Sequence, residues 1–406
     1  MKTKRGLVLC CAVLLLLPAL VITGDYQVQV TTIEVWVKAV DSSGNPVTDL
    51  KQDDFEIYED RVKVKTGCFE QSAVSLIPSQ TQTSTADVQL APAPKKFVLF
   101  LDLLNTTPAE YAFVKPKMQQ FLDQISGRNW EVLLAALMPN GKLGLISPFT
   151  TDINRIHTLL SEARANDHRD IRVLRNVREL QDLIVQARET SADLTSVLFT
   201  EARNFTREDK DISVYSMDAL ASFANYLQKK ADKERTIILY VSGGFQSEPG
   251  RIYYNMLERA GYADLGSMAA VTNPAQIPET NFDFQREVQK GIGSLNRFNV
   301  TLYAINTRGL AGSGTDPSLN ASSHDIEAFR DYQNTLDQIA HETGGVSFAN
   351  SNNFKVGFDQ VFTDLDHQYM LCYDAPEHRK TGEYHHIRVV CKRPGVQIRY
   401  RQGYLR

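Results

Sequence analysis

Cysteine is scarce in this 406-residue sequence: there are five, and Cys10 and Cys11 sit in the first apolar run. The other three, Cys68, Cys372 and Cys391, are an odd number, which excludes a complete disulfide framework and leaves room for one pair. Beyond the N-terminal run, no stretch approaches the roughly 18 uncharged apolar residues of a membrane-spanning helix, so no span is expected there. An excess of positive charge is also missing. Lys and Arg total 44 against 48 Asp and Glu, a formal charge of −4, which offers no general attraction to nucleic acid or anionic lipid. With 43% hydrophobic residues the chain is no disordered polymer, and its length suits one large domain with a small one, or two to three domains.

What is present begins with an export pattern. Lys2, Lys4 and Arg5 precede an apolar region over 6–22 interrupted by Pro18, and Thr23 and Gly24 supply small residues before Asp25. Residues 1–24 are therefore read as a signal peptide, and the mature protein as periplasmic, envelope-associated or extracellular. Cys10 and Cys11, flanked by Leu9 and Ala12, lack the small residue that precedes a lipidated cysteine.

Hydrophobic residues then alternate at Val28 and Val30 and at Ile33, Val35 and Val37, the period-two pattern of a half-buried strand. Turn residues follow over 41–46. Two more short strands flank an Asp60-Arg61 turn, completing an N-terminal β segment over 25–78. Residues 79–94, rich in Ser, Thr, Gln, Ala and Pro, read as a linker. From 95 to 366 buried strands alternate with helices, the signature of a doubly wound α/β sheet. Strands are expected at 97–101, 132–137, 143–146, 236–241 and 300–305, and helices at 114–125, 217–230, 283–298 and 332–343. Val173, Val177, Leu180 and Ile184 share a helix face, so 152–211 reads as a helical insertion over one sheet edge.

Strands return at 369–373, 384–391 and 396–404. Neither terminal β segment is long enough to bury a good core alone. Joined, 25–78 and 367–406 would make one β-sandwich with the α/β domain inserted; two independent small sheets are the alternative. A hairpin centred on the polar stretch 377–383 would set Cys372 opposite Cys391, and the sequence leaves open whether they are bridged or two buried thiols.

In an open α/β sheet, ligands bind beyond the carboxyl ends of the strands. Asp102, Asn105 and Thr106 follow the first strand, Ser242 and Gly243 a central one, and Asn306 the next. They define a polar rim of low charge as the candidate binding site.

Several segments carry a resemblance: Asp49-Leu50 and Asp54-Phe55, the strand ending in Asp102, Ser242-Gly243-Gly244-Phe245, the run from Tyr303 to Leu310, Glu342-Thr343-Gly344-Gly345, the run from Tyr369 to Tyr373, and Gly403-Tyr404. In this order they resemble the bacterial exported proteins with a von Willebrand factor A-related domain. The resemblance implies a von Willebrand A fold in an envelope or extracellular setting, and no shared biochemical activity. Related A domains bind a divalent cation, typically Mg2+, through Asp-x-Ser-x-Ser after the first strand, a Thr in a later loop and an Asp after the fourth strand. Here Asp102 and Thr106 match, Leu104 replaces the middle Ser, Ser242 stands where the later Asp would be, and Ser213 or Ser216 falls near the middle loop. The implied metal set of Asp102, Thr106 and Ser242 is degenerate, so any magnesium should bind weakly or need a carboxylate from a partner.

Enzyme readings fare worse. A haloacid-dehalogenase-like phosphatase would use Asp102 as nucleophile, but its general acid position is Leu104. His341-Glu342 lacks the second His of a zinc-protease motif. His385 and His386 read as surface or strand polar residues, Asp364 and Asp366 as a solvated helix face, and the basic run 169–178 as an amphipathic helix. Tyr303, Tyr369 and Tyr373 read as core, and Gly344-Gly345 as a helix-ending turn. The expectation is a non-enzymatic exported protein-interaction or adhesion module whose protein partner the sequence does not name.

Overall fold

The computed structural model describes residues 31–71, 95–166, 169–190, 193–229, 235–262, 284–308, 323–349, 353–376 and 382–405. Residues 1–24, read as a signal peptide, the stretch 79–94, read as a linker, and Val28, Val30, Gly309 and Leu310 lie outside these. Among the described residues the protein is mixed α/β, with one six-stranded sheet and two four-stranded antiparallel sheets.

The strands are β1 (Thr32–Val40), β2 (Phe55–Glu59), β3 (Val62–Val64), β4 (Cys68–Gln71), β5 (Lys95–Asp102), β6 (Trp130–Leu137), β7 (Leu143–Thr150), β8 (Thr236–Ser242), β9 (Val300–Asn306), β10 (Ser347–Phe348), β11 (Tyr369–Asp374), β12 (Tyr384–Cys391), β13 (Gln397–Arg399) and β14 (Gly403–Leu405). The helices are α1 (Pro108–Ile125), α2 (Ile153–Glu162), α3 (Arg169–Thr190), α4 (Thr195–Gln228), α5 (Arg251–Leu257), α6 (Gln285–Arg297), α7 (Ser323–Glu342) and α8 (Phe354–Asp366).

The large sheet runs β10-β9-β8-β5-β6-β7. Its pairs are parallel except β6 with β7, so the sheet is mixed, with an antiparallel edge. Alternation on β5 sends Phe97, Leu99 and Leu101 to one face, where they meet Met118 and Phe121 of α1 and Phe358 and Phe362 of α8. Val98 and Phe100 point to the other, against Leu220 and Phe223 of α4, Ile292 of α6 and Ile339 of α7. Helices covering both faces explain why these strands read as unbroken apolar runs.

Both ends of the chain enter both small sheets, ordered β13-β1-β11-β4 and β14-β12-β2-β3. Ile33, Val35, Val37, Phe55 and Ile57 share one apolar core with Leu371, Tyr373, Ile387, Val389 and Tyr404. This arrangement corrects the cysteine expectation. Strands β11 and β12 do not form a hairpin but lie in different sheets, so Cys391 is a free thiol. Cys372 instead faces Cys68 in the β11–β4 register, and these two form the disulfide, with Cα atoms 5.0 Å apart.

The helical insertion also differs from its expected limits. Helix α4 runs unbroken for 34 residues, so the segment read as a separate helix at 217–230 is its second half. Val177, Leu180 and Ile184 do share an apolar face, packed on Leu198, Phe205 and Tyr253.

The terminal sheets meet the α/β unit through buried charge. Asp364, expected on a solvated face, is buried and receives both terminal nitrogens of Arg399, each at 2.8 Å. Arg235 donates to Thr301 and Gln368 and stacks over Trp36, and burial lowers its pKa to about 10. Lys38, 2% exposed, donates to the Gly344 carbonyl at 2.5 Å, and burial holds its pKa well below the ordinary value. Gly344-Gly345 ends α7 as expected: the Gly344 amide donates to His341 and the Gly345 amide to Ala340, a Schellman turn with Gly344 at φ 78°. A Cβ on Gly345 would lie 1.9 Å from the Leu302 carbonyl, so only glycine lets this turn seat against β9.

Candidate functional site

The carboxyl ends of β5, β8 and β9 lie side by side in the sheet and bring the rim residues together. Asp102 ends β5, fully enclosed, and its carboxylate is met by four hydrogen bonds. The Asn105 amide donates to Oδ1 at 3.0 Å; the Asn105 side chain (2.9 Å), the Tyr240 hydroxyl (2.5 Å) and the Ser242 hydroxyl (2.7 Å) donate to Oδ2. Charge-assisted bonds of this kind are the strong ones. The network continues outward: Asn105 Nδ2 also reaches Ser216 Oγ at 2.7 Å, and the Gly244 amide donates to Ser242 Oγ at 2.9 Å.

Ser213 and Ser216, placed near a loop by the sequence, are on helix α4 and buried. Ser216 reaches Asp102 only through Asn105, and Ser213 donates to the Gln246 carbonyl at 3.0 Å. Gly243 and Asn306 take part in the backbone bonding of the rim. The Gly243 amide donates to the Asn105 carbonyl at 3.2 Å, and Asn306 Oδ1 accepts from the Arg308 amide at 3.0 Å. Thr106 is buried, and its hydroxyl has no hydrogen-bond partner among the described residues.

Helix α1 opens beside this cluster with a capping box, Thr107 to Glu110, and Pro108 at its first position. Glu110 also accepts from the Thr307 hydroxyl at 3.3 Å and lies 4.0 Å from Arg308. Arg308 donates to the Gly243 carbonyl at 2.9 Å and covers the Tyr332 ring at 4.5 Å. A second carboxylate pins the loop after β8: Asp331 accepts from the amides of Ser247 and Glu248 and from the Ser247 hydroxyl. Burial raises the Asp331 pKa, against the opposing pull of those hydrogen bonds.

Sequence reasoning missed Tyr240, Glu110 and Asp331, and placed Arg308 only within the run from Tyr303 to Leu310. Only Glu110 carried a signal, the Thr-x-x-Glu capping box. Tyr240 reads as one more apolar strand residue, and the other two find their partners only in three dimensions.

The cluster tests the metal set directly. A cation at Asp102 would compete with donors on both carboxylate oxygens, three of them on Oδ2, including Ser242, the second residue of the set. The donors are well suited to one another and poorly suited to a tight magnesium site. Among the described residues, the unpartnered Thr106 hydroxyl and Asp102 Oδ1, which accepts a single bond, are the atoms of the set with acceptor capacity left.

No protein-family model matches the chain, and no curated protein matches its sequence. Among solved structures, it is similar to an aerotolerance-related membrane protein of Bacteroides fragilis, at 13% identity and TM-score 0.28, over 66% of this chain and 97% of that one. It is also similar to the three N-terminal domains of the type V pili tip protein Mfa5 of Porphyromonas gingivalis, at 10% identity and TM-score 0.33, over 84% of this chain and 56% of that one. A third is the pilus adhesin SpaC of Lactobacillus rhamnosus GG, at 9% identity and TM-score 0.34, over 90% and 49%. Likeness at this level carries no argument about function. Among the described residues, no helix is long and apolar enough to cross a membrane.

Proposed function

We propose that the protein is an exported, non-enzymatic interaction or adhesion module: a von Willebrand A-like α/β domain inserted in a β-sandwich built from the two ends of the chain. The observation that carries this reading is the locked state of Asp102. A nucleophile or metal ligand needs a free oxygen facing a reactant, and both oxygens of Asp102 are bound by buried donors. The same geometry argues against the phosphatase reading, since Leu104, where the general acid would stand, is buried and apolar. In this account Asp102 works as a hub that fixes the loops after β5 and β8, to which Thr307 and Arg308 tie the loop after β9, and those loops, with the exposed start of α1 at Pro108 and Ala109, present the binding surface.

The test is capture of proteins from an envelope extract by the wild type and by Ala109→Arg, which puts a bulky charge on the exposed first turn of α1 without touching the hub. Capture of a defined protein that is lost in Ala109→Arg is the expected result. Equal capture by both would remove this surface from consideration.

A second reading, divalent-cation-dependent adhesion completed by a partner carboxylate, is favoured by the unpartnered Thr106 hydroxyl. It requires Ser242 to release Asp102, so magnesium binding to the protein alone would be weak.

A further inference from the structure

Away from the Asp102 rim, two carboxylates and an imidazole meet at one end of the core shared by the terminal sheets. Alternation on β2 turns Phe55, Ile57 and Glu59 inward, so Glu59 is fully buried at a position a carboxylate ordinarily avoids. His385 takes an inward position on β12, one alternation from Ile387, the register partner of Glu59, and is 3% exposed. Asp60 opens the tight turn into β3, where it and Arg61 have φ of 47° and 72°. That turn is fixed on β12: the Asp60 amide donates to the His386 carbonyl, and the His386 amide to Asp60 Oδ1, both at 2.9 Å.

Asp60 Oδ2 lies 2.9 Å from His385 Nδ1, and one donor atom from each of Glu59, Asp60 and His385 falls within 4.8 Å of the others. The other ring nitrogen, Nε2, is enclosed with no hydrogen-bond partner among the described residues. Glu59 accepts from the Tyr404 hydroxyl at 3.0 Å.

We propose that His385, Asp60 and Glu59 bind a divalent cation of the zinc class. One imidazole nitrogen and two carboxylate oxygens suit a borderline ion, whereas magnesium and calcium favour all-oxygen shells. A tetrahedral ion with bonds of roughly 2.1 Å separates its ligand atoms by roughly 3.4 Å, a spacing within reach of small side-chain rotations here. Asp60, whose side chain is 28% exposed, is the solvent-facing member of the three and the side from which an ion would enter.

The experiment uses the full mature chain stripped with EDTA and titrated with Zn2+ alone, followed by calorimetry and thermal melting. It expects one ion per chain in the micromolar range or tighter and a melting temperature raised by zinc but not by magnesium. Asp60→Asn, which keeps a residue tolerant of the left-handed turn, should weaken binding at least about tenfold while melting near the wild type in EDTA. His385→Asn should do the same; if it does not fold, Asp60→Asn and the tetrahedral absorption bands of Co2+ bound to the wild type decide. Absence of zinc binding, or equal affinity in Asp60→Asn, which marks an adventitious ion on exposed histidines such as His341 or His386, would overturn the proposal.

Discussion

Tyr240 on β8 gives its hydroxyl to Asp102 on the neighbouring strand β5, oxygen to oxygen 2.5 Å, with both side chains fully buried. An aromatic residue from the sheet interior thus holds the carboxylate on which the loops of the rim converge. Tyr240→Phe removes that one donor and should cost about 1–2 kcal/mol. Asp102→Ala leaves several buried donors unsatisfied and should cost about 3 kcal/mol or more. Urea denaturation measures both, and equal costs would mean that the network does not converge on Asp102.

The bidentate Arg399–Asp364 pair ties the terminal sheets to α8. Asp364→Ala leaves Arg399 unpaired beside the buried Lys38 and the half-buried Arg235, and should lower stability by about 3–5 kcal/mol. Asp364→Asn, which keeps an acceptor, should cost less. A loss within about 0.5 kcal/mol in thermal or urea unfolding would show that the junction does not depend on this pair.

Lys38 gives the junction a pH dependence whose sign is set by burial. Its folded pKa lies below the ordinary 10.5, so between those two values the unfolded chain binds more protons than the folded one. Stability contributed by this group therefore rises with pH through that window and is lower below it. The difference in unfolding free energy between wild type and Lys38→Met, followed from neutral pH to 10.5, should grow in favour of the wild type. A flat difference would mean that Lys38 is not desolvated.

The cysteine pairing is checked by alkylation. In the mature chain without reductant, iodoacetamide should label Cys391 alone once the protein is unfolded, and all three cysteines after reduction. Replacing Cys68 and Cys372 by Ser should destabilise by about 2–5 kcal/mol. Labelling of Cys68 before reduction would contradict the pairing.

What the sequence made legible was local. The runs of β5, β8 and β9 and the alternation of β1 each follow from one strand's surroundings, and the glycine pair after α7 from one turn. The rest depended on which strands meet. Cys372 and Cys391 look like hairpin partners until β11 and β12 are assigned to different sheets, which the chain between them does not encode. Asp364 resembles a solvated helix residue because Arg399 arrives from the far end of the chain. His385 finds Asp60 across 325 residues, and no spacing rule brings them together. At the rim, sequence position alone placed Asp102, Asn105, Ser242 and Asn306 together, but the enclosure of Asp102 by Tyr240 was invisible because a tyrosine in a buried strand reads as core.

Magnesium titration of the mature protein, followed by calorimetry, tests most directly whether the rim is a hydrogen-bonded platform. The account predicts no binding at Asp102 tighter than about the millimolar range, because Ser242, Tyr240 and Asn105 already occupy its oxygens. Micromolar magnesium affinity in the wild type, abolished by Asp102→Asn, would contradict it.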